Sequence, residues 1–215
     1  MAHVKSLEKL TLKEMLFNIS FYSGLPGGLI QLPIPDSIII KGQKIPIPKD
    51  MEEFTESLCY GQRIFLARKE DNDFGSILRV SDGYFYPLVT KKEWDENKAL
   101  LFGKNVLLCR VKEIYPIAMH LVTLVGEMAE REQKLLHREP SKLEKAAGID
   151  KLSVFSELTA IDFLRQVLNK TYDEVMLTSY NECLVRFMLA HETAMFQERH
   201  YELMKRESES KTKYK

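Results

Sequence analysis

Cysteine is scarce in this chain. Cys59, Cys109 and Cys183 are the only three in 215 residues, they lie far apart, and no CxxC pair occurs. A disulfide framework or a zinc knuckle therefore has no basis, and reduced thiols are expected. Charge of one sign is missing too: 31 Lys and Arg balance 31 Asp and Glu, for a net charge of zero. Without a positive field, neither general nucleic-acid binding nor attachment to an anionic membrane is expected. The longest apolar stretch, from Ile114 to Met128, is broken by Pro116, His120 and Glu127. It is too short to span about 30 Å of hydrocarbon. Met1 to Lys5 lead into mixed polar and apolar residues rather than a secretory apolar segment. These features predict a cytoplasmic chain with no membrane partner, in which the sequons at Asn18 and Asn169 carry no meaning.

Motifs of catalysis and cofactor binding are lacking as well. His191 and Glu192 begin like HExxH, but Met195 stands where the second histidine must chelate the same ion. The residues three before His120, His137, His191 and His200 are Ile117, Lys134, Met188 and Gln197, so the Glu-x-x-His pattern of di-iron bundles is absent. Gly24, Gly27 and Gly28 cluster, but no Gly-Lys-Ser/Thr follows them, and neither GxGxxG nor GxSxG occurs. No metal, cofactor or catalytic residue is assigned on these grounds. His120 and His191, each on an apolar helical face, read as hydrogen-bonded, partly buried residues. The three cysteines read as buried structural thiols, because apolar surroundings disfavour a thiolate. Glu127, Glu130 and Glu132, interleaved with Arg131 and Lys134, have the pattern of a solvated helix face. Tyr60, Tyr84, Phe85 and Tyr86 have no basic stripe around them and are expected in core or turn roles.

What is present is enough apolar material for a sizeable core, 45% of the residues, in a length that suits one domain or two small ones. Five of the eight prolines fall between Pro26 and Pro48, which excludes a continuous helix there. Inside that stretch, β-branched runs either side of Lys41, Gly42 and Gln43 predict a short hairpin over Ser37 to Ile47. Thr11 to Glu14 opens a helix expected to run to Tyr22 and to stop at Ser23 and Gly24. Reciprocal N-cap spacing recurs at Asp50/Glu53, Thr90/Glu93, Ser141/Glu144, Thr171/Glu174 and Ser179/Glu182. Apolar residues at helical period follow several of these starts: Phe54, Leu58, Gly61 and Phe65; Ile117, Leu121, Leu124 and Met128; and Val154, Leu158, Ile161, Leu164 and Leu168. Ser81, Asp82 and Gly83 signal a turn, so Phe74 to Val89 reads as a second hairpin or a broken helix. From Ser179 to Arg206 no Pro or Gly interrupts a long helix, and the polar segment after it is expected to fray.

The predicted fold is mainly α, a multi-helix domain with a small β-hairpin in the N-terminal region. Residues 1–89 carry a helix, the Pro-rich hairpin region (24–48) and a second helix; residues 90–206 form a helical domain; residues 207–215 are a disordered tail. With chemistry unsupported, surface for another protein remains. Leu25, Leu29 and Ile30 sit in a stretch that cannot bury itself as a regular element, and Tyr180 and Phe187 lie on the long helix; these five are the candidate partner-binding residues.

The run Phe155 to Leu164, then Thr171 to Leu177, then a helix beginning Ser179 to Leu184, resembles the helical part of some bacteriophage tail-assembly chaperones, and the start at Thr11 to Glu14 is similar in kind. The resemblance covers about a third of the chain and rests on helix-start patterns; the Pro-rich hairpin and the segment from Phe74 to Arg110 are not matched. It implies a non-enzymatic assembly protein that binds a long helical phage protein, or itself, in the host cytoplasm or the virion. The alternative is a cytoplasmic enzyme whose catalytic residues are dispersed over a helical pocket, with His120, His191 and a nearby carboxylate as its candidates.

Overall fold

The computed structural model describes residues 10–17, 33–68 and 73–213. Among them the chain is mainly helical, with one two-stranded antiparallel hairpin near the N-terminus, as the sequence predicts. Helix α1 (Leu12–Phe17) starts with a reciprocal cap, Glu14 N–H donating to Thr11 Oγ1 at 3.3 Å and Thr11 N–H to Glu14 Oε2 at 3.1 Å. Its expected continuation to Tyr22 lies outside the described residues, as do Leu25, Leu29 and Ile30. Strands β1 (Ser37–Ile40) and β2 (Gln43–Pro46) pair with Ile38 opposite Ile45. Lys41 and Gly42 both have positive φ, 51° and 75°, which is the two-residue turn that matches strand twist. Gln43 therefore belongs to the strand, not to the turn where the sequence reading put it. Ile38, Ile40 and Ile45 face inward by alternation.

Helix α2 (Met51–Glu56) is capped by Asp50, which accepts from Glu53 N–H at 2.9 Å. The single helix expected to carry Phe54 through Phe65 is broken. Ser57 donates its hydroxyl to Phe54 O, Leu58 and Cys59 are extended, and α3 (Tyr60–Ala67) starts anew. Helix α4 (Asp73–Thr90) corrects the turn reading outright, because it runs unbroken through Ser81, Asp82 and Gly83. Gly83 is taken up by tertiary contact: a Cβ there would lie 2.8 Å from Phe65 and Leu66 side-chain carbons, and Gln62 donates to Gly83 O at 3.0 Å. The Thr90/Glu93 cap does not form. Thr90 instead donates back to Tyr86 O at the end of α4, and α5 (Glu96–Val106) is capped by Asp95.

Helix α6 (Val111–Leu136) is the central rod, about 39 Å long. Ile117, Leu121, Leu124 and Met128 are all buried along it, as their period predicts, while Pro116 sits inside the helix rather than in its first turn. Helix α7 (Lys142–Ala146) carries the predicted Ser141/Glu144 cap, and a 3-10 segment (Ile149–Phe155) leads into α8 (Ser156–Leu168). In the stripe expected on α8, Ile161 and Leu164 are buried, but Val154 precedes the helix and is 83% exposed, and Leu158 is 57% exposed. Helix α9 (Tyr172–Leu177) has the complete Thr171/Glu174 box. Helix α10 (Tyr180–Lys213) then runs 34 residues, about 51 Å, so that residues 207–213 of the segment expected to fray are helical, while the last two lie outside the described residues.

Two short backbone bridges join helix starts across the fold. Leu12 N–H donates to Cys109 O and Val111 N–H to Leu10 O, setting α1 beside α6. Tyr60 N–H donates to Thr178 O at 2.8 Å and Tyr180 N–H to Leu58 O at 3.0 Å, setting α3 beside α10. The main core takes in residues on both sides of position 90, among them Phe54, Phe85, Phe102, Ile117 and Leu184. A second cluster joins Tyr60, Ile64, Ile161, Leu164, Val175 and Cys183 from α3, α8, α9 and α10.

Candidate functional site

The bridge between Leu58–Tyr60 and Thr178–Tyr180 decides where the candidate site forms. Both helices begin at a tyrosine on the same backbone ladder, and Tyr60 and Tyr180, both buried, line one cavity. One turn into α3, Arg63 reaches Glu132 of α6 and donates through Nε at 2.8 Å to one carboxylate oxygen and through its second nitrogen to the other. This fork-to-fork pair, only 27% and 13% exposed at its two side chains, corrects the solvated-face reading of Glu132. Between these groups and α8 opens a cavity of about 480 Å³, lined on its apolar side by Ile64, Ala160, Leu184 and Phe187. That volume falls in the range of binding clefts, roughly 300–1,000 Å³. At the rim Arg68 bridges Glu96, at 2.5 Å, and Glu157, at 3.6 Å.

The two phenols that line the cavity are held in their protonated form. Burial pushes the Tyr60 phenol up to about 12, with Arg63 opposing. Burial, aided by the negative charge of Glu132, raises Tyr180 further still, so both phenols stay protonated at neutral pH. The Tyr180 hydroxyl is buried and faces the Glu132 carboxylate. The cysteines are equally inert: burial raises Cys183 to about 12 and Cys109 to about 11, and raises Cys59 as well. The cavity thus combines an apolar and aromatic wall with a mutually neutralised ion pair.

Of the candidate partner-binding residues, Tyr180 and Phe187 are brought together here, with Phe187 stacked on Phe163 at 5.5 Å between centroids and tilted against Tyr60 at 6.0 Å. His120 and His191 do not line the cavity; His120 Nε2 is bonded to Pro48 O at 2.8 Å, the structural role expected of it. Arg63, Glu132 and Ala160 escaped sequence reasoning, because nothing in local spacing announces an ion pair between residues 69 positions apart. Among the described residues no group of three or more His, Cys, Asp or Glu is placed to hold a metal ion, and no helix is long and apolar enough to cross a membrane. The chain matches no family model, no curated protein and no solved structure.

Proposed function

We propose that this chain is a non-catalytic assembly protein that holds a helical segment of another protein, in the manner of the phage tail-assembly chaperones that its helix starts resemble. The observation that carries the reading is the cavity between α3, α6, α8 and α10, whose charged groups are already paired and whose walls are apolar and aromatic. An amphipathic helix laid over such a cleft inserts one or two large apolar side chains spaced by a turn and meets charges at the rim. Arg68 and Glu157 supply that rim. A long helical partner, such as a phage tail-length protein, presents many segments of this kind.

Ala160 lines the cavity on α8, and replacing it by Trp puts a large side chain into that space. Tagged wild type and Ala160→Trp, captured from the cells that make the protein, should differ in one respect: a helical protein in fixed stoichiometry accompanies the wild type and is lost from the variant. A partner retained equally by both, or no partner at all, would contradict the reading.

A further inference from the structure

Helix α10 carries two faces. The inner one, with Tyr180, Cys183, Leu184 and Met188, packs into the two cores. On the outer side Val185, Leu189, Phe196 and Leu203 are 61%, 60%, 62% and 63% exposed. At about 100° per residue these four fall within an arc of about 40°, a stripe about 27 Å long. The 3.4 Å ion pair of Arg138 with Glu198 ties this helix to the body of the protein, and every residue from Arg199 to Glu209 is exposed. The stripe is therefore continuous from the part of α10 that packs to the part that projects.

Its spacing is symmetric. Phe196 stands seven residues from Leu189 and seven from Leu203, so these three positions read the same in both directions, as an isologous two-fold contact requires, and Val185 lies outside the symmetric part. We propose that two copies of this chain pair antiparallel along α10, Phe196 on Phe196 and Leu189 of each copy on Leu203 of the other. The charges agree with that register. Glu192 and Arg199 flank the stripe on the same side, four residues before Phe196 and three after it. A two-fold axis through Phe196 keeps that side in common, so Glu192 of each copy lies within about 1.5 Å, along the axis, of the level of Arg199 in the other. Neither residue makes an ion pair within its own chain among the described residues. A parallel pair would instead put the two Glu192 residues at the same level on opposite sides of the seam, with no such pairing to Arg199 on the same side. The contact buries roughly 1,000 Å² in all, at the low end of specific interfaces, so a dimer with a dissociation constant on the order of micromolar is expected.

Sedimentation equilibrium of the full chain over about 1–300 μM tests this. The expected result is a reversible dimer that Phe196→Glu abolishes. Glu192→Arg or Arg199→Glu alone should weaken it about tenfold or more, and the double exchange should restore it. A monomer at every concentration, a dimer indifferent to Phe196→Glu, or charge reversals with no effect or no mutual rescue would overturn the proposal. So would a monomer whose stripe binds a different protein. Each such result leaves the cavity reading standing, because that reading is tested by Ala160→Trp on another face.

Discussion

Asp82 lies on α4 with its carboxylate against Gly103 of α5, and its Oδ1 has no hydrogen-bond partner. Burial alone pushes its pKa up to about 8. The folded state therefore holds the proton more tightly than the unfolded chain does. The resulting stability is fully present below about pH 4 and is lost as the pH rises through about 8. Urea denaturation should show the wild type less stable at pH 9 than at pH 5 by an amount on the order of a few kcal/mol, with Asp82→Asn much flatter over the same interval. Equal pH dependence in the two proteins would contradict the burial argument. The neighbouring glycine is fixed by the same contact: a Cβ at position 103 would lie 2.4 Å from Asp82 Oδ2. Gly103→Ala is expected to cost about 1–3 kcal/mol, and less when combined with Asp82→Ala, a coupling that a double-mutant cycle measures.

Elements with a local cause were legible in the sequence. The hairpin could be read because isoleucines alternate around Lys41 and Gly42, and the latter needs its positive φ. Nothing lies within 4 Å of a Cβ built on Gly42, so Gly42→Ala should lower stability by a purely conformational amount, about 1 kcal/mol, in thermal denaturation. The caps at Thr171 and Ser141 were legible for the same reason, being satisfied within four residues. Elements with a distant cause were not. Ser81, Asp82 and Gly83 look like a turn until Phe65, Leu66 and Gln62 pack on Gly83 and Gly103 admits Asp82. The break after Glu56 is fixed by strand-like pairing with Thr178 and Tyr180, more than a hundred residues on. Half of the candidate site follows this division: Tyr180 and Phe187 were visible as apolar positions on a long helix, whereas Arg63 and Glu132 become a site only when α3 and α6 meet.

For the whole molecule, the two backbone bridges turn a string of short helices into a frame about α6, and on the proposed reading one long helix serves two purposes. Its first turns close the cavity with Tyr180, Leu184 and Phe187, and its outer stripe faces away from the body. A partner held in the cleft and a second copy held along the stripe do not compete for the same surface, so one assembly can contain both. The most direct measurement of the central claim is the mass and composition of the complex captured on the wild-type chain and on Ala160→Trp. The account predicts one helical protein bound in fixed ratio to the wild type and missing from the filled-cavity variant, which itself stays folded. A wild type that captures nothing, or a partner indifferent to the filled cavity, would contradict it.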